Sequence, residues 1–373
     1  MRLVLCFFNM LTNRSRAAGS GPMQKRARSK RVFLLNHKDT LTSCFLRHFG
    51  HSFLRLFDLR DSKAKKTKYL ISFILILSFF STPLFAQEFL PLYSPGKMPN
   101  SKGMDLKDDI RNERIYQVGM PGMYVFLPSV QENKGAAVLI CPGGGYERLA
   151  YVISGTQLAK WFNTLGIAAF VLNYRLPNSP DLKERQIAPL QDAQRAVRII
   201  RSNAEKWQIK LDKIGVMGSS AGGHLAANLG TATEDFAKTG DDIDKFSEAP
   251  NFMILVSPVI TMGEYAHAGS RKNLLGENPS KELLEKFSLE KQVTEKTPPA
   301  MIVHAADDKT VNPRNSLMFY NALLDKNISA SLHIFPAGGH SIALRNNPGS
   351  TEEWTHLCEM WLVEKGFIPQ IKK

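Results

Sequence analysis

Three clusters in this 373-residue chain carry side chains whose types and spacing suit covalent acyl transfer. The first is Gly218-Ser219-Ser220-Ala221-Gly222, a G-x-S-x-G pattern. It follows the apolar run 214–217 and opens a segment with Leu225, Ala226 and Leu229 spaced for a helix. A serine on a sharp strand-to-helix turn projects its hydroxyl above the sheet, and flanking glycines relieve the crowding. The helix start behind it favours developing negative charge. Ser220 is therefore the candidate nucleophile. The second cluster is Cys141-Pro142-Gly143-Gly144-Gly145-Tyr146, at the end of an earlier apolar run. Consecutive glycines let backbone N–H groups face a cleft, where they can stabilise the oxyanion of a tetrahedral intermediate. Gly144 and Gly145 are assigned this role, with the N–H of Ala221. A flexible glycine loop and a phosphate cradle are the competing readings. The cradle lacks a following Gly-Lys-Ser/Thr and a completed G-x-G-x-x-G.

A serine nucleophile needs a base, and the base needs an acid that orients it. In this arrangement they follow in the order Ser, Asp, His. His340 closes Pro336-Ala337-Gly338-Gly339-His340 just beyond the last apolar run. Of the six histidines after residue 86, His224 and His304 read as structural. His333 lies within a run, His267 in an insertion and His356 on the final helix. Asp307 and Asp308 both follow the run 300–304. The spacing His304-x-x-x-Asp308-x-x-Val311 favours Asp308 as the acid and leaves Asp307 to cap a turn. Asp192 reads as a helix-start charge or half of a buried ion pair. No H-E-x-x-H occurs and no His/Asp pair has ligand spacing, so no metal and no organic cofactor is expected.

The elements that must hold these residues alternate. Apolar runs at 136–141, 167–173, 213–217, 252–257, 300–304 and 331–335 fit buried strands. Helical patterns fall between them. Segment 189–207 places Leu190, Ala193, Val197, Ile200 and Ala204 on one face and Arg195, Arg198 and Arg201 outside. Segments 315–326 and 351–365 are similar. Such alternation predicts an α/β fold, a mostly parallel central sheet with helices on both faces. Segments 113–118 and 123–127 suggest a leading hairpin. Residues 258–299 form the longest insertion, with a helical piece at 281–289, in a position that can cap a site. Cys141 and Cys358, the cysteines of this region, are expected as buried free thiols rather than a pair.

The net charge of +14 is unevenly spread. Residues 1–86 hold 16 Lys/Arg against three acids, and 87–373 hold 32 against 31. A nearly neutral body argues against a nucleic-acid partner. Lys63, Lys65, Lys66 and Lys68 precede Leu70–Phe80, an eleven-residue run with nine apolar members. Ser81-Thr82-Pro83 and Leu84-Phe85-Ala86 follow. These are the parts of a signal peptide spanning 63–86, with cleavage after Ala86 and a secreted or periplasmic product. The run is shorter than a membrane span of about 20 residues, so no stable membrane insertion is expected after cleavage. An uncleaved anchor is the alternative. Residues 1–62 form a basic extension without a motif, expected to be disordered or to lie upstream of the true start. A transit segment and a basic arm compete with that reading. Residues 87–373 are expected to form one catalytic domain.

CPGGGY (141–146), YRL (174–176), DAQRAVRIIR (192–201), GSSAGGHLAA (218–227), HAGSRKNLLG (267–276), ADDKTVNP (306–313) and GGH (338–340) occur in one order. Together they resemble the α/β-hydrolase family, specifically secreted bacterial esterases similar to acetylxylan esterases. The resemblance covers about residues 120–365. It implies Ser220 as nucleophile, Asp308 as acid, His340 as base, and Gly144, Gly145 and Ala221 as oxyanion donors. It also implies an acylated carbohydrate as the substrate. One departure is Ile153-Ser154-Gly155, where relatives often carry His-Glu-Gly. Some such sequences carry endoxylanase labels, but no carboxylate pair for glycoside hydrolysis is identifiable. A serine exopeptidase of the same fold, and an inactive carbohydrate-binding homologue, are the alternative functions.

Overall fold

The computed structural model describes residues 87–340 and 342–370. The extension at 1–62 and the signal segment at 63–86 lie outside the described residues. Ten strands are described: β1 (Phe89–Pro91), β2 (Asp109–Arg111), β3 (Arg114–Gln117), β4 (Gly122–Phe126), β5 (Ala137–Cys141), β6 (Ala168–Asn173), β7 (Ile214–Ser219), β8 (Met253–Val256), β9 (Ala300–Ala305) and β10 (Ala330–Phe335). Seven α-helices are described with them: α1 (Gln157–Thr164), α2 (Ala188–Ser202), α3 (Ala221–Thr231), α4 (Ala268–Leu275), α5 (Lys281–Lys286), α6 (Arg314–Asp325) and α7 (Trp354–Glu364).

Eight strands form one sheet in the order β1-β4-β6-β5-β7-β8-β9-β10. β1, β4 and β6 are joined antiparallel, and every pairing from β6 through β10 is parallel. β5 through β9 are buried apart from the half-exposed Ser219 at the end of β7, because helices cover both faces. Side chains alternate by pleat between two cores. Leu139, Phe170, Val216, Leu255 and Ile302 pack with α2, α3 and α6. Val138, Val171, Met217, Ile254 and Val303 pack with α1 and α7. This matches the α/β architecture expected from the alternating runs.

Two local expectations fail. Segments 113–118 and 123–127 do not pair with one another. β3 pairs with β2 in a separate two-stranded sheet, while β4 is inserted between β1 and β6. The apolar β4 gains more by joining the main sheet than by closing a small hairpin. The arginines of α2 do not face solvent either, since Arg195, Arg198 and Arg201 are all buried. The stretch after α3 folds over them and supplies counter-charges. Arg198 makes a two-pronged pair with Asp235, at 2.8 and 2.7 Å, and reaches Glu248 at 3.0 Å. Arg195 pairs with Asp241 and Asp244. Asp192 takes the buried-pair option. It accepts from the Arg175 backbone N–H at 2.8 Å, from its guanidinium at 2.7 Å, and from the Tyr93 hydroxyl at 3.0 Å.

The chain passes from β5 to β6 on one side of the sheet and then to β7 on the other. At such a reversal the loops beyond the carboxyl ends of adjacent strands diverge and open a crevice. The glycine loop after β5 and the serine turn after β7 both lie there, with Cys141 and Gly218 as register partners.

Candidate active site

Ser220 joins β7 to α3 with φ 57° and ψ −124°, a conformation that strains any residue with a Cβ. Backbone bonds hold it there. Its N–H donates to Val256 O at 3.0 Å, and its carbonyl accepts from His224 and Val259 at 3.1 and 3.0 Å. The turn closes only because its neighbours lack side chains. A Cβ on Gly218 would lie 2.0 Å from Gly222 O, and one on Gly222 would lie 2.1 Å from Cys141 O.

The loops after β9 and β10 bring the other two groups to this turn. His340 Nε2 lies 2.8 Å from Ser220 Oγ, and His340 Nδ1 lies 2.7 Å from Asp308 Oδ2. Asp308 Oδ1 accepts from the N–H groups of Thr310 and Val311 at 2.8 and 3.0 Å. Its Oδ2 also meets His304 Nε2 at 3.1 Å. His304 Nδ1 lies 2.7 Å from Ser316 Oγ, and its Nε2 also reaches Val311 O at 3.1 Å. A carbonyl only accepts, so Nε2 of His304 carries the proton and donates to the carboxylate. Burial alone would push the Asp308 carboxyl up. The bonds from His304, His340 and Val311 outweigh it and hold the acid well below the usual carboxylate range. An ionised Asp308 fixes the proton of His340 on Nδ1 and leaves Nε2 free to accept from Ser220.

Asp307 does not cap the turn as expected, because Asp308 Oδ1 takes the turn's N–H groups. Its Oδ1 accepts from the Gly339 N–H at 2.8 Å and ties the loop before His340 to β9. His304, read from sequence as merely structural, touches the acid directly. Its i, i+4 spacing to Asp308 was the available signal.

The glycine loop is braced at several points. Gly144 and Gly145 have φ +135° and +67°. Among the described residues no group accepts from the N–H of Gly144, Gly145 or Ala221, which leaves these donors free for a ligand beside Ser220. The Gly143 N–H is engaged instead, donating to Ser154 Oγ at 3.1 Å while that hydroxyl donates to Ala150 O at 2.9 Å. Ser154 lies in the segment where the sequence departs from its relatives, and its hydroxyl braces the loop. Tyr146 anchors the far end of the loop. Its buried hydroxyl lies 2.9 Å from His224 Nδ1, and His224 Nε2 donates to Phe287 O at 2.9 Å. Burial lowers the pKa of His224 to about 4.

The cleft above Ser220 measures about 510 Å³. Leu158, Met217, Val256, Leu344 and Trp354 give it an apolar side, and Arg114, Arg148, His267, Asn273 and Thr310 supply polar groups. His267, Gly269 and Asn273 come from the 258–299 insertion. That segment therefore helps wall the cleft. Among the described residues no group of three or more His, Cys, Asp or Glu is placed to hold a metal ion. Cys141 and Cys358 are both buried free thiols.

Known proteins share this fold. The family model described as BD-FAE matches residues 123–323. Endo-1,4-beta-xylanase B of Butyrivibrio fibrisolvens is 37% identical over 63% of this chain and 37% of its own length. An acetylxylan esterase of Xylanibacter ruminicola is 37% identical over 60% of this chain and 44% of its own. The chain thus spans about two-fifths of the length of these curated relatives. The crystal structure of an acetyl ester-xyloside bifunctional hydrolase from Caldicellulosiruptor lactoaceticus is 36% identical. It superposes with a TM-score of 0.65 over 76% of this chain and 97% of that one.

Proposed function

The chain belongs to the BD-FAE family of α/β-hydrolases, and from that premise we propose that it is a serine carboxylesterase releasing acetyl groups from acetylated polysaccharides or oligosaccharides. One observation carries the reading: a single imidazole bonded to the Ser220 hydroxyl on one nitrogen and to the buried Asp308 on the other. Ser220 Oγ attacks the acyl carbonyl while His340 Nε2 takes its proton. The N–H groups of Gly144, Gly145 and Ala221 receive the oxyanion. His340 returns the proton to the leaving sugar oxygen, and an acetyl-Ser220 ester remains. Water then attacks that ester through the same histidine, freeing acetate and restoring the serine.

Names of relatives that mention acetyl esters support the acyl group. Glycoside hydrolysis finds less support in the cleft. A glycosidase needs two carboxyl groups flanking the bond, and Glu147 alone among the cleft-lining residues is acidic. The segment 63–86 supports export to the periplasm or beyond, where polysaccharide is met.

The test compares steady-state acetate release from acetylated xylan with release of p-nitroaniline from dipeptide anilides. Acetate should be released and the anilides left intact. Turnover of the anilides without acetate would instead mark an exopeptidase of this fold.

A further inference from the structure

His267 stands at the N-terminus of α4, on the cleft wall, and the triad makes no use of it. Its Nδ1 accepts from the Ser270 backbone N–H at 3.2 Å and lies 2.8 Å from Ser270 Oγ. A ring nitrogen that accepts a backbone N–H carries no proton, so the neutral ring holds its proton on Nε2. Among the described residues no group accepts from that Nε2. The ring faces the oxyanion loop, with Cε1 4.0 Å from where a Cβ on Gly145 would stand. The helix behind it is tied to the same loop, since Asn273 Nδ2 donates to Gly145 O at 2.9 Å. A fixed N–H donor therefore borders the space above Ser220.

Burial and the neighbouring His340 hold the pKa of His267 below its ordinary value, against a smaller opposing pull from Asp308. The ring thus stays neutral while His340 takes up its proton. A neutral N–H can bond an uncharged acceptor such as a hydroxyl or ring oxygen, and it brings no counter-charge of its own for a carboxylate. We propose that the Nε2–H of His267 donates to an oxygen of the sugar that bears the ester, and so makes His267 a specificity-determining residue for carbohydrate esters over simple aryl esters. This rests on the esterase reading.

Two substitutions separate the ring's cleft-facing nitrogen from its capping nitrogen. His267→Asn keeps an acceptor near Nδ1, and asparagine is a strong N-cap, but it withdraws the donor from the cleft. His267→Gln places an amide N–H near the Nε2 position and gives up the cap. The measurement is kcat/KM on acetylated xylobiose divided by kcat/KM on p-nitrophenyl acetate, with a melting curve for each protein. One lost neutral hydrogen bond corresponds to a fall of about tenfold. His267→Asn should lower the ratio by about tenfold and keep the melting temperature. His267→Gln should retain most of the ratio and melt lower. A His267→Asn protein with the wild-type ratio overturns the proposal, as does a ratio that falls with the cap in His267→Gln but not in His267→Asn. Wild-type inactivity on both esters would remove the esterase reading as well, whereas the other two outcomes remove this proposal alone.

Discussion

Asp308 concentrates four donors on one buried carboxylate: two backbone N–H groups and two imidazoles. That solvation by protein explains how the acid stays ionised without water, and why one tautomer of His340 is enforced. Asp308→Asn tests this point. An amide NH₂ facing His340 Nδ1 would turn the ring proton to Nε2, where it can no longer accept from Ser220. kcat on p-nitrophenyl acetate should fall about 10⁴-fold, and a fall of less than about tenfold would show that the carboxylate does not set the tautomer. The positions of Ser220, Asp308 and His340 were legible in sequence because each sits in a short motif at a strand's carboxyl end. Ser154, Asn273 and His267 were not legible as site residues. Their partners lie 11, 128 and 3 residues away, and even the near contact is a helix cap that resembles any other.

At the scale of elements, α3 couples the nucleophile turn to the rest of the cleft. Ser220 precedes its first turn, and His224 within that turn links Tyr146 of the glycine loop to Phe287 beyond α5. Burial makes the folded protein resist protonating His224, against a smaller opposing pull from the Phe287 carbonyl. Its folded pKa of about 4 lies below the ordinary value of 6.5, so the unfolded chain binds the extra proton first. The stabilisation is complete above pH 6.5 and is lost as pH falls toward 4, by up to about 1.4 kcal/mol per pH unit. Urea unfolding at pH 7, 5.5 and 4.5 should show this loss in the wild type, and His224→Gln should lose correspondingly less stability on acidification. Equal acid slopes in the two proteins would refute the assignment. The strands and helices themselves were readable from apolar runs and helical spacing. The false hairpin and the supposedly exposed arginines share a cause. Strand partners and counter-charges are chosen across the fold, and Arg198 finds Asp235 and Glu248 at separations of 37 and 50 residues.

Taken as a whole, the chain divides by charge. The basic surplus belongs to residues 1–86, and the body from Gln87 onward carries 32 basic and 31 acidic residues. A balanced body gives no long-range attraction for a polyanion. Its specificity must come from contact within the cleft, where an apolar side and a polar side meet at Ser220. Catalysis in that cleft depends on the one hydroxyl of Ser220. The most direct test is acetate release from acetylated xylo-oligosaccharides by the wild type and by Ser220→Ala, with melting curves confirming that both are folded. Turnover should fall by about 10⁴–10⁶ in the variant. A folded Ser220→Ala protein that releases acetate within about tenfold of the wild-type rate would contradict the assignment of Ser220 as nucleophile.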